Sequence, residues 1–175
     1  MNLLRKSNSS AADSEYDMQD AVSQIMATIT FQGQTPTGGD TWNPALNVYR
    51  EVSIRRIGRI SDIIVEITPR KIVNIECKLF DYTGVINQAL DHKRWADYSY
   101  ICMHAQTLLP AYAIKKMIDN DLGLMLWSKE RGLLDVIGAG HNTYKSGDKD
   151  RATRKIVTNI LQKSDPISPR SPIQQ

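Results

Sequence analysis

A chain of 175 residues, 41% of them hydrophobic, is long enough to bury one core and too short for two comfortable domains. Its formal net charge of +3 permits a polyanionic partner without requiring one, and its two cysteines, Cys77 and Cys102, each within an apolar stretch, argue against a disulfide framework and for a reducing, cytoplasmic setting. No run approaches the roughly 18 apolar residues of a membrane span, and Met1 to Asp13 lacks the apolar stretch of a signal peptide, so no membrane association is expected.

Residues 1–13 are polar and rich in Ser and Asn, and residues 163–175, with Pro166, Pro169 and Pro172, carry no apolar period. Both segments read as mobile tails around a single domain, 14–162. From Ser14 to Thr30, Met18, Ala21, Val22, Ile25, Met26 and Ile29 recur at helical steps, with Ser14 as the N-cap. Gly33 to Pro44 reads as a loop, with Trp42 as a packing anchor. From Val48 to Leu79 the period becomes two, predicting an antiparallel meander of strands at about 48–56, 61–67 and 72–79, broken at Gly58 and at Thr68-Pro69-Arg70-Lys71. Val85, Ile86, Ala89, Leu90, Lys93 and Ala96 trace a second helix, Ser99 to His104 a strand, and Pro110 to Asn120 a third helix. Two strands follow, Leu122 to Ser128 and Leu133 to Ile137. A last helix over about 150–162 sets Ala152, Ile156, Val157 and Ile160 on one side and the basic Arg151, Arg154 and Lys155 toward another. The order αβββαβ, then αββα, predicts an α/β (α+β) fold in which helices flank a mixed sheet.

Alternation along the third strand puts Asn74, Glu76 and Lys78 on one face and Val73, Ile75, Cys77 and Leu79 on the other. A hairpin turning near Pro69 sets Asp62 opposite Glu76, to within one pair. Two carboxylates on half-buried strands raise each other's pKa and lose hydration, a cost that a divalent cation removes. Hard oxygen ligands select Mg²⁺, with Mn²⁺ able to substitute, and such an ion retains waters beside a bound phosphate. Lys78 then either stabilises charge on a pentavalent phosphate or helps orient and deprotonate the attacking water. The bland alternative is an exposed strand face carrying a salt bridge.

With Ser61-Asp62 followed by Glu76-Cys77-Lys78 on adjacent strands, the chain resembles the PD-(D/E)XK nuclease superfamily of restriction endonucleases, archaeal-type Holliday junction resolvases and recombination-associated nucleases. Serine stands where the motif has proline. The resemblance covers about 14–128 and implies a restriction-endonuclease-like core, a Mg²⁺-dependent DNA endonuclease, possible action as a homodimer, and Asp62, Glu76 and Lys78 as its catalytic centre. It also implies a metal-directed glutamate on the first helix, for which Glu15 is the first choice and Glu51 a rival. A glutamine on the helix after the Lys-bearing strand is implied too, and Gln88 matches it; His92 stands where one branch has tyrosine.

Gln88, His92 and Trp95 share a helical stripe that either lines a DNA groove, with His92 on a phosphate, or packs Trp95 inward and leaves the other two solvated. Arg55, Arg56 and Arg59 surround the first hairpin, as phosphate contacts or as a solvated tip. His104 and His141 have no spacing for zinc and read as structural or surface residues. The competing functional expectation is a nucleic-acid-binding or assembly protein of the same fold with little cleavage. Clustered carboxylates, kept at a desolvation cost, weigh against it.

Overall fold

The computed structural model describes residues 14–28, 47–68, 71–142 and 148–168, so the expected leading tail and the Gly33–Pro44 loop with Trp42 lie outside the described residues. In chain order the elements are α1 (Glu15–Thr28), β1 (Asn47–Ile54), a 3-10 turn (Arg55–Ile57), β2 (Arg59–Thr68), β3 (Lys71–Lys78), α2 (Tyr82–Lys93), β4 (Tyr98–His104), α3 (Ala111–Asp119), β5 (Gly123–Ser128), β6 (Gly132–Ile137) and α4 (Asp148–Leu161). The expected helices and strands all form, with boundaries displaced by a few residues.

Local chemistry accounts for where the elements begin. Ser14 caps α1 reciprocally: the Asp17 N–H donates to Ser14 Oγ at 3.0 Å, and the Ser14 N–H donates to Asp17 Oδ2 at 3.2 Å. Asp81 caps α2 by accepting the Gly84 N–H at 2.8 Å. A Cβ at residue 84 would stand 2.2 Å from Asp81 Oδ2, so this close cap requires glycine. Gly58, at φ 63°, closes the 3-10 turn by donating its N–H to the Arg55 carbonyl.

The fold is mixed α/β: one six-stranded sheet in the order β1-β2-β3-β4-β5-β6. The first three strands form the expected antiparallel meander, β3, β4 and β5 run parallel with α2 and α3 as their crossovers, and β6 returns antiparallel. Odd-numbered residues of β3 and even-numbered residues of β4 pack with Met18, Val22 and Met26 of α1 on one face. On the other face, α2 and α3 cover Ile101 and Met103, while α4 brings Val157 and Leu161 against Ile64, Ile72 and Trp95. Each strand of β3 and β4 is therefore sandwiched, and all seven residues of β4 are buried.

Arg154, expected on another side of α4 than its apolar residues, turns inward: it donates to the Trp95 carbonyl at 2.7 Å and to Asp97 Oδ2 at 2.8 Å. Asp97 Oδ2 also accepts the Ile72 N–H at 2.6 Å, so one carboxylate fastens α4 to the start of β3. Past the expected end of the domain at 162, the chain still touches the sheet. The Ile167 N–H donates to the Val48 carbonyl at 2.8 Å and its side chain packs on the α1-side core, so the chain after α4 lies along the outer edge of β1.

Removing the guanidinium should strand the Asp97 carboxylate. Arg154→Ala is expected to lower unfolding free energy by about 2 kcal/mol, as for a largely buried charge pair losing one partner. Denaturant unfolding checks this, and an unchanged midpoint would mean that the ion pair contributes nothing.

Candidate active site

The β2–β3 ladder pairs Ile64 with Asn74 and Ile63 with Ile75, and one further step brings Asp62 across from Glu76, the register anticipated from the sequence. There a side chain takes over from the ladder: Asp62 Oδ2 accepts the Cys77 N–H at 2.8 Å. The neighbouring strand is distorted at the same level. Tyr49 and Val52, three residues apart, pack into the same cluster, so the alternation of β1 slips at Glu51, whose φ is 50°. Glu51 itself is exposed.

Glu76 is fully buried beneath α2. Among the described residues neither of its carboxylate oxygens has a hydrogen-bond partner, and the same is true of the buried Oε1 of Gln88. Beside it a polar chain crosses the sheet: Ser61 Oγ donates to Asn74 Oδ1 at 2.5 Å, Asn74 Nδ2 donates to Ser99 Oγ at 3.5 Å, and Ser99 Oγ donates to the Ala89 carbonyl of α2 at 2.9 Å. Lys78 is ion-paired with Glu15, which ties the N-terminus of α1 to the end of β3.

Electrostatics follow from this burial. Desolvation, reinforced by the Asp62 charge, pushes the Glu76 carboxyl up to about 9, against smaller opposing effects of Asn74 and Lys78. Desolvation also raises Asp62 to about 6, although the Cys77 N–H and Lys78 favour its charged form. Burial works against the charge on Lys78, but Glu15, with Asp62 and Glu76, outweighs it and raises the lysine above its ordinary value. Lys78 is thus held as an ammonium, which favours the charge-stabilising role over the proton-accepting one.

His92 requires correction as a phosphate contact. Its side chain is fully buried, as is that of Trp95, and the two rings meet edge to face. The helical stripe packs inward because α2 lies directly over Glu76, so a solvated groove lining is not available to either ring. His92 Nε2 stands 3.4 Å from Glu76 Oε1, yet this is no ion pair, because burial also drives the imidazole down to about 4.

The three hairpin arginines do not act together. Arg59 is held by Asp91 through Nε at 2.9 Å and Nη2 at 2.8 Å. Arg56 and Arg59 line an open recess of about 490 Å³ with Arg94 and Thr153. Arg55 faces a different recess, lined by Tyr49, Ile156 and Ile160. Cys77 and Cys102 are free, buried and paired across the parallel strands β3 and β4. His104 packs between Phe80 and Trp127, and His141 packs on Tyr98. Glu66 accepts a hydrogen bond from Asn47 Nδ2 at 2.9 Å across the β1–β2 ladder.

No family model and no curated protein matches the chain. A solved structure of a protein of unknown function from Silicibacter pomeroyi is similar, with a TM-score of 0.45 and 17% identity over 66% of this chain and 75% of that one. Among the described residues no helix is long and apolar enough to cross a membrane. No group of three or more His, Cys, Asp or Glu among them gathers closely enough to enclose a metal ion. The acidic pair available is Asp62 and Glu76. Hard oxygen donors of this kind fit a divalent cation that keeps much of its own water, and both Glu76 oxygens lack a partner among the described residues.

A pH dependence follows. Both carboxyls titrate above their unfolded values of roughly 3.9 and 4.3, so without a cation the folded chain holds the extra protons. Their contribution to stability is complete at acid pH and is lost as pH rises through about 6 for Asp62 and about 9 for Glu76. In EDTA the melting temperature should therefore fall between about pH 5 and about pH 9, and Glu76→Gln should flatten the fall and melt higher on the alkaline side. A wild-type melting temperature that rises over this interval would show that the two carboxylates are stably paired as anions.

Proposed function

We propose that the chain is a metal-dependent deoxyribonuclease with a restriction-endonuclease-like core, hydrolysing phosphodiester bonds at Asp62, Glu76 and Lys78. The observation that carries this reading is the buried Glu76, with both oxygens unpartnered among the described residues, next to a second carboxylate and a lysine held charged. A core salt bridge would have joined Lys78 to Glu76. Instead Glu15 takes the ammonium and Glu76 keeps its acceptors.

Asp62 and Glu76 would hold Mg²⁺ or Mn²⁺, which when bound supplies a Lewis acid for the phosphoryl oxygen and lowers the pKa of water. The remaining work falls to the protein. Gln88 Oε1, a buried acceptor of α2 with no partner among the described residues, would take a hydrogen bond from a water and so fix its approach to phosphorus. Lys78 stabilises the negative charge that builds on the phosphoryl oxygens as water adds and the ester oxygen departs. Glu15 keeps Lys78 protonated and in place, and its charge, near enough to act on Asp62, adds to the negative field that a cation would meet. Arg56, in the 3-10 turn, and Arg59, at the start of β2, would meet neighbouring phosphates of the strand along the recess they line.

With Mg²⁺, the wild-type chain is expected to cleave at least one of linear, nicked, flapped and four-way DNA, and Glu76→Gln to cleave none of them. Lys78→Ala should lose more than roughly tenfold in rate while DNA affinity stays within a few-fold, since one cation among many adds little to ground-state attraction. Failure of the wild type on every substrate, with Mg²⁺ and with Mn²⁺, would leave a binding or assembly role on the same fold.

Glu15→Gln should fold normally, cleave roughly tenfold more slowly, and need more Mg²⁺ for half-maximal rate, whereas Glu51→Gln should behave nearly as wild type. Metal titrations of the cleavage rate test the pair, and the opposite ranking would assign the supporting carboxylate to Glu51.

A further inference from the structure

We propose that His92 is a positioning residue for Glu76: its Nε2–H holds one carboxylate oxygen and leaves the other for the cation shared with Asp62. This inference rests on the nuclease reading, and it gives a role to a buried histidine that the mechanism above does not use.

The tautomer is set by a neighbour. An indole nitrogen can only donate, and Trp95 Nε1–H donates to His92 Nδ1 at 3.1 Å. Nδ1 is therefore an acceptor, and the neutral ring carries its proton on Nε2. Both rings are fully buried, with centroids 5.4 Å apart and planes at 83°, so the imidazole is held in one orientation.

Nε2 stands 3.4 Å from Glu76 Oε1, and neither atom makes a well-formed hydrogen bond to another described residue. An unpartnered donor and an unpartnered acceptor buried face to face each retain a desolvation cost that a small approach would remove. The Ile60 carbonyl is a second acceptor near the ring. With Oε1 held in this way, Glu76 presents a single oxygen toward Asp62, and its rotamer is fixed from behind by α2. His92 and Trp95 lie three residues apart on that helix, so one turn provides both the donor and the group that orients it.

Two measurements on the full chain test the proposal. In a sample with ¹⁵N-labelled histidine, the apo protein near neutral pH should show His92 as the Nε2–H tautomer, and Trp95→Phe should release it into a mixture. An Nδ1–H ring in the wild type would overturn the proposal, whatever the activity. In Mn²⁺ titrations, His92→Leu should bind about 10–100-fold more weakly than wild type, as expected when the partner of a ligating group is removed. His92→Gln, whose amide nitrogen can take the place of Nε2, should recover most of that loss. If the leucine and glutamine variants bind Mn²⁺ equally, His92 only packs and the inference fails while the nuclease reading stands. If the wild type neither binds Mn²⁺ nor cleaves DNA, the nuclease reading itself fails. Should His92→Leu not fold, the tautomer measurement and Trp95→Phe still decide.

Discussion

A carboxyl group at the centre of a sheet is costly when no described residue gives it a well-formed hydrogen bond, and Glu76 is such a group. The surrounding structure is arranged to contain that cost without cancelling it. Lys78, two residues along the same strand, would be the obvious counter-ion, but it is drawn to Glu15 at the mouth of the site. Asn74 is shared with Ser61 and Ser99, and Asp62 is fastened by the Cys77 N–H, so these neighbours offset little of the cost. On the reading proposed above, the acceptors left over would receive positive charge brought from outside.

The scaffold positions these groups from two opposite layers. α1 brings Glu15 to the open end of β3 from one side, while α2 lays His92 over Glu76 from the other. β3 is buried on both faces, so its polar residues cannot move out to solvent without displacing a helix. The Arg154–Asp97 clamp ties α4 to the first turn of β3 and to the residue just before β4, steadying the two strands from below the site.

Much of this was legible in the sequence, and the exceptions share a cause. The period of two through β1, β2 and β3, and the period of three to four in the helices, report burial directly, so the elements and their order could be read from apolar residues alone. The register that sets Asp62 against Glu76 followed from the length of the hairpin. His92 and Arg154 were misread because each is polar on a helix whose inward face contains a polar target, Glu76 for one and Asp97 with the Trp95 carbonyl for the other. A pattern that equates polar with outward cannot register such targets. The arginines of the first hairpin are near in sequence but divided in space, because the 3-10 turn rotates successive side chains toward different recesses. Ile167 was missed for a simpler reason, since one apolar residue between prolines has no period.

The segment carrying Ile167 also bears on how the molecule behaves toward copies of itself. β1 is the first strand of the sheet, and the Val48 carbonyl on its outer side is taken by the Ile167 N–H. A chain shortened to the end of α4 would keep every charged group of the site yet uncover that carbonyl and the apolar surface under Ile167. An uncovered edge of this kind is a template for strand addition by another molecule. The segment carrying Ile167 therefore shields an edge more than it serves the site, and its loss would show first as self-association, with the site's own residues untouched.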